Sequence, residues 1–249
     1  MKKTSVYSFL LFIFLLVIWE ISSKSYSELV LPAPSVIVLT LVDGLLNGYF
    51  TQHIQRTAAE VILGLFFGGA AGFTVGVLMG EVAFLRKLLF PYIIASQAVP
   101  KLALAPLFIL WFGFGMTSKV VITALVCFFP LLENTVTAIQ LSDIQKQELF
   151  KMLGATRLQT LIHLKIPSGM LGILAGLRVS VVLAIVGAVV GEFIGGSEGL
   201  GALIIATQAM MDTALMFATL ILLTIFGMIL YLTVSWLEKM WMKRLKKEI

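Results

Sequence analysis

The feature that most constrains this chain is a series of long, unbroken apolar runs. A helix needs about 20 apolar residues to cross a hydrocarbon layer of roughly 30 Å. Six stretches qualify: residues 5–22, 57–80, 88–112, 119–140, 169–192 and 214–237. They are continuous rather than alternating, so they read as helices and not as barrel strands. Composition agrees. The 249 residues are 59% apolar and 12% charged, with a mean hydropathy of +1.04. Soluble domains carry about 25% charged residues, so these charges are too few to clothe a water-facing enzyme. The lone Cys127 lies within an apolar run and excludes a disulfide framework or a cysteine-based metal site. The chain reads as an all-α integral membrane protein of about six transmembrane helices.

Lys2 and Lys3 precede the first run as they would in a signal peptide, but the Trp19-Glu20 end lacks a small-residue cleavage site, so a retained helix is expected. Residues 36–46, behind Pro32-Ala33-Pro34, are too short to span and read as an interfacial helix. Of eighteen lysines and arginines, thirteen fall on one side of this topology: Lys2, Lys3, Arg86, Lys87, Lys146, Lys151, Arg157, Lys165 and the five within 239–247. The opposite side holds Lys24, Arg56 and Lys119. Positive-inside bias then predicts cytoplasmic N- and C-termini. The net charge of +5 is explained by anionic lipid of the bilayer, with no need for nucleic acid.

Gly64, Gly68, Gly72, Gly76 and Gly80 recur every fourth residue in the second run, and Gly172/Gly176 and Gly187/Gly191/Gly195 repeat the pattern in the fifth. Such stripes let helix backbones approach closely. They serve either packing within one subunit or a surface along which bundles slide. The third run carries Pro91, Pro100 and Pro106 around Lys101. Proline kinks a helix, and a break at membrane depth needs protein or a water-filled cavity to satisfy its backbone. Gln97, Pro100 and Lys101 are therefore candidates for a pathway, where Lys101 either attracts an anion or satisfies the kinked backbone. Glu133 and Arg178 lie at similar depths in the fourth and fifth runs and are expected to meet as an ion pair, structural or gating. Glu20, Glu60 and Glu192 are read as interfacial acids.

The loop 141–168 carries more structure than a linker needs. Ser142 and Gln145 have capping-box spacing, Gly154 stands where a helix would end, Thr156 can cap a second turn, and Pro167 is expected to close it before the next span. Ile144, Leu149, Phe150, Met152 and Leu153 give the first helix an apolar face. It suits either docking into a partner's groove or lying on the bilayer.

In Glu148-Leu149-Phe150-x3-Gly154-x9-Leu164-x-Ile166-Pro167, every gap matches the E-A-A-x3-G-x9-I-x-L-P signature of ABC-importer permeases, with Ala155 following the glycine. The chain also resembles the branch of that family serving nitrate, taurine, sulfonates and thiamine precursors, through LPAPS at 31–35, AVPKLALAPLFILWFGFGMTSKV at 98–120, GILAGLRVS at 172–180 and GLG at 199–201. One stretch departs: a family-like S-x-x-R-x-x-x-G reads Thr57-x-x-Glu60-x-x-x-Gly64, a charge reversal. The resemblance implies a MetI-like ABC permease bundle in the cell membrane. Residues 1–56 would add a first helix and outer segment to a permease core at 57–249. It also implies a second permease copy, two ABC ATPase subunits docking on 141–168, and an extracellular solute-binding protein. This chain would bind no cofactor of its own, ATP-Mg residing on the partner ATPase. The solute is expected to be small and anionic, or a thiamine precursor.

Two rival classes are weaker on sequence grounds. No G-x-x-x-x-G-K-[ST] occurs, so the chain cannot cradle ATP itself, and an ion-coupled secondary transporter would need to draw on acids such as Glu133. Gly195-Gly196-Ser197-Glu198-Gly199 matches G-x-S-x-G, but it follows a helix instead of forming a strand-to-helix elbow, and reads as a turn.

Overall fold

The computed structural model describes the backbone of residues 2–245 and the side chains of residues 7–243. Lys2, Lys3, Arg244, Lys246 and Lys247, which count toward the charge asymmetry, lie outside the described side chains. Every apolar run becomes helical. α1 spans Lys2–Ser23, α2 Pro34–Leu46, α3 Thr51–Glu81 and α4 Ala83–Ala98; after a break and one 3₁₀ turn at Lys101–Leu104, α5 spans Ala105–Phe112. α6 covers Met116–Gln140, α7 Ile144–Met152, α8 Arg157–Thr160, α9 Ile166–Gly195, α10 Leu200–Ala209 and α11 Thr213–Leu245. Among the described residues, four helical stretches are long and apolar enough to cross a membrane, or five if the bent α4–α5 pair is counted as one broken span. The expected first span, 5–22, begins among residues whose side chains are not described; its described part, Tyr7–Ser23, is a shorter apolar helix.

Three helices make the core, and the glycines decide how close they come. α3 and α6 run side by side in the same direction, with the whole Gly64–Gly80 stripe turned onto α6. A Cβ at Gly76 would stand 2.9 Å from the Leu132 carbonyl oxygen, and one at Gly80 2.9 Å from Ile139 Cβ. One at Gly72 would collide with the Phe128 carbonyl. α9 runs the other way along the opposite flank of α6, where Gly176 abuts Pro130 and Asn134, Gly187 abuts Thr123 and Gly191 abuts Lys119. Of the two uses open to these stripes, the structure shows packing within one chain.

At the end of the bundle away from the 141–168 loop, α2, α10 and α11 close over a cluster of Ile37, Phe50, Leu200, Leu203, Ala218 and Leu222. The expected 36–46 segment is indeed a short helix, α2, with Pro34 at its first turn, where its missing N–H costs nothing. The Glu20 carboxylate at the end of α1 accepts from Ser35 N (3.1 Å) and Ser35 Oγ (2.8 Å), placing an anion at the α2 N-terminus.

The third run breaks where its prolines demand. α4 ends at Ala98, Val99 and Pro100 are extended, and the axis turns by 79° before α5. The fifth run differs from expectation. Pro167 does not close a turn ahead of the span; α8 passes through a π-helical turn at Leu161–Lys165 directly into α9, one helical stretch of 39 residues from Arg157 to Gly195. Proline lacks a donor and crowds the carbonyl four residues earlier, and the wider π turn placed just before it relieves that crowding.

Gly72→Ala is expected to lower stability by about 1–3 kcal/mol through overpacking against the Phe128 carbonyl. Gly69→Ala, whose Cβ would rest 3.5 Å from Leu131, should leave it within about 0.5 kcal/mol of wild type. Thermal unfolding of the two variants in detergent checks this.

Candidate functional site

The helix break opens a cavity of about 540 Å³ between α4, the 3₁₀ turn, α6 and α9. Gln97, Pro100 and Lys101 line it from the break, Phe129, Glu133 and Asn134 from α6, and Val179 and Leu183 from α9. The Lys101 ammonium stands over the Phe129 ring, 3.9 Å from its centroid, a cation–π contact that partly offsets its desolvation. It also lies within the field of the Glu133 carboxylate. Glu133 is shared with a second cavity, again about 540 Å³, lined by Arg86, Lys87, Phe90 and Pro91 of α4 and by Thr137 and Gln140 of α6. The two cavities thus adjoin at Glu133 and follow one another along α6, from mid-bundle to the basic end of α4. Four of the five expected pathway residues meet here: Gln97, Pro100, Lys101 and Glu133. Phe129 and Asn134 were missed, because the sequence does not show which face of α6 the break opens toward.

Arg178 is not among them. It does not meet Glu133; it forms an ion pair with Glu238 of α11 and stacks beside the Tyr231 ring, 5.7 Å from its centroid. The reason is the glycine register. Gly176 faces α6, and each helical residue advances about 100°. Arg178, two residues on, therefore points to the other side, toward α11.

A second polar cluster lies in the bundle at the end far from the 141–168 loop. Glu60, Lys119, Thr57 and Glu192 are all buried to 2% exposure or less, so the two acids and the lysine counted with the outer side are packed inside the bundle. Lys119 Nζ lies 3.2 Å from Glu60 Oε1, which Arg56 also approaches at 3.0 Å. Thr57 Oγ1 donates to Glu192 Oε1 at 2.6 Å, and Gly201 N donates to Glu192 Oε2 at 2.6 Å. Leu200 N donates to Thr57 Oγ1 at 2.8 Å. The cluster binds α3, α6 and α9 to the turn before α10. It also explains the charge reversal at Glu60, which faces Lys119 one turn beyond the Gly64–Thr123 contact. Gly199, at φ +119°, lies so close to Glu192 that no side chain could stand there. Its N–H donates to His53 Nδ1 at 3.2 Å, so the histidine pins this turn and the G-x-S-x-G match is a turn.

The loop at the other end carries the signature residues in two groups. Asp143, not Ser142, caps α7, accepting from Gln145 N (2.9 Å) and Lys146 N (3.3 Å). Ser142 instead is buried and bonds Ile139 O and the Gln147 amide. Ala155 N donates to Phe150 O at 3.0 Å around Gly154, whose φ of +77° closes the helix as the spacing predicted. Thr156 and Gln159 then form a full capping box for α8. Glu148 and Leu149 project outward, and Ile144, Met152 and Leu153 are each more than two-thirds exposed. Leu164 is buried, and Ile166 packs against Leu131, Ala138 and Ile173. Glu148 through Gly154 therefore present a surface, while Leu164, Ile166 and Pro167 root it in the bundle. Lys165 adds a 2.7 Å ion pair to Glu81 at the end of α3.

Residues 64–247 match the family described as the binding-protein-dependent transport system inner membrane component. The chain is 36% identical over 240 residues to the formylaminopyrimidine transport permease protein of Halalkalibacterium halodurans, covering 96% of each. It is 36% identical over 228 residues to the riboflavin transport system permease protein of Chloroflexus aurantiacus, covering 91% of this chain and 85% of that one. Among solved structures, a chain of the inward-facing MetNI methionine ABC transporter superposes with a TM-score of 0.68 at 17% identity, over 77% of this chain and 95% of that chain. The protein belongs to the family of ABC-transporter inner-membrane permeases. It is a multi-pass transport subunit and not an enzyme, and a secondary transporter is not favoured. Members of this family work with ATPase and binding-protein partners.

Two stability measurements follow from these clusters. Lys119→Met should cost about 1–3 kcal/mol by leaving the buried Glu60 with Arg56 as its one cationic partner, and Glu60→Leu/Lys119→Met should recover part of it, since an apolar replacement removes both buried charges and leaves only the part-exposed Arg56 unpaired. In a thermal double-mutant cycle, Arg178→Gln and Glu238→Gln should couple by at least about 0.5 kcal/mol. Arg178→Gln and Glu133→Gln should add.

Proposed function

We propose that this chain forms the membrane pathway of an ABC importer, with a second copy of itself completing the channel and an ATPase docking on α7. The observation that carries this reading is α7 itself: a capped helix held off the bundle with Ile144, Leu149, Met152 and Leu153 exposed, in the spacing of the importer signature. An apolar helix of this kind fits a partner's groove, and Lys146, Lys151 and Arg157 supply a basic rim.

The loop and both termini then face the cytoplasm, following the positive-inside bias, and the turn pinned by Glu192 and His53 faces outward, toward a solute-binding protein. ATP-Mg sits on the ATPase. Residues 57–249 form the permease core, and 1–56 an added helix and surface segment. Solute passes along the α6 groove, by Gln97, Pro100, Lys101 and Glu133 and then Arg86 and Lys87. Nucleotide binding drives transport only by stabilising one arrangement of the bundle over another. The relatives named above carry formylaminopyrimidine and riboflavin, which supports a small organic solute.

Gly154→Asp and Glu148→Arg are each expected to abolish co-purification of an ATPase from detergent extracts while the permease still elutes as a folded species. Gly154→Asp does so by disturbing a turn that needs positive φ. An ATPase retained equally by both variants overturns α7 as the dock.

A further inference from the structure

The groove places two opposite charges in one cavity without letting them meet. Lys101 and Glu133 both line the space at the helix break, the Lys101 ammonium feels the Glu133 charge, and yet no ion pair closes between them among the described residues. Glu133 forms no side-chain hydrogen bond there, and Gln97 likewise has an uncommitted amide. Asn134 spends its donor on Pro130 O at 2.8 Å, leaving its amide oxygen as an acceptor. The ring of Phe129 forms a flat apolar floor beneath the ammonium. Glu133 and Gln97 are both exposed along this open groove, so their polar ends are available to a molecule that enters it.

We infer that this cavity is a solute site for dipolar molecules, those that present an acceptor to Lys101 and an amine or amide donor to Glu133, and that it selects against simple anions. The inference rests on the α6 groove being the transport path, and it narrows the solute. A simple anion would satisfy Lys101 but meet repulsion from Glu133 in a medium of low dielectric, where charge interactions are strong. A simple cation would meet the reverse. A molecule carrying both ends, zwitterionic or a neutral aminated heterocycle, completes both groups at once. The expectation of an anionic solute, drawn from Lys101 alone, left out the facing carboxylate.

Matched probes test this on the purified full-length permease without ATPase or binding protein. Taurine carries an ammonium and a sulfonate; propane-1-sulfonate replaces the ammonium by a methyl group; formylaminopyrimidine supplies a flat, neutral, dipolar ring. By calorimetric titration, taurine and formylaminopyrimidine are expected to bind about tenfold or more tightly than propane-1-sulfonate, the scale of one charge-assisted hydrogen bond. Glu133→Gln should weaken taurine about tenfold and at the same time strengthen propane-1-sulfonate, a gain that no misfolded variant can produce. Lys101→Gln should weaken taurine and propane-1-sulfonate alike. Equal binding of taurine and propane-1-sulfonate to wild type, absence of binding by both dipolar probes, or a Glu133→Gln variant with unchanged preference each overturns the inference. Loss of ATPase co-purification with the binding preference intact would instead strike the importer reading alone.

Discussion

Everything in this bundle depends on how closely α3 and α9 approach α6. Lipid tails are as apolar as leucine, so burial from water contributes little between membrane helices, and packing and polar contacts must hold them together. Glycine at every fourth position of α3 removes the side chains that would keep its backbone off α6, and the α9 glycines do the same on the other flank. α6 becomes a central post gripped on two sides. Its third side is left to the broken α4–α5 segment, and that is where the groove opens.

The close approach also allows charge to be buried safely. Helices so near one another can pair Glu60 with Lys119 and Thr57 with Glu192 without long side chains reaching through lipid. The same contacts reach backbone amides of the turn at 199–201. A tight apolar seam and a buried polar cluster are thus consecutive turns of one register: Gly64 against Thr123, then Glu60 against Lys119.

Much of this was legible in the sequence. Long apolar runs, the proline-bearing third span, the glycine stripes and the Glu148–Pro167 spacing all survive in the fold. What was read wrongly has a common cause. Hydropathy reports how deep a residue lies along a helix but not which way it points. Glu133 and Arg178 are at similar depths and face different neighbours. Lys119 and Glu192 look interfacial by position and are buried by orientation. The signal that could have corrected this was present, because Gly176 marks the α6-facing side of α9 and places Arg178 about 200° away from it. Pro167 misled for a different reason: proline signals a helix start or a kink equally well, and only the preceding π turn decides which. Ser142 lost the cap to Asp143, its neighbour: both are good capping residue types, and the Ser142–Gln145 spacing pointed one residue too early.

The uninterrupted helix from Arg157 to Gly195 has a mechanical consequence. At 1.5 Å per residue its 39 residues make a strut of nearly 60 Å, with the turn after Gly154 at one tip and the Glu192 carboxylate near the other. A kinked or hinged connection at Pro167 would absorb a push at the loop as local bending. The stretch from Arg157 to Gly195 has no such break, so a displacement of the turn after Gly154 is carried into the same helix that holds Glu192. The two ends of the bundle are thereby joined through a single helical stretch.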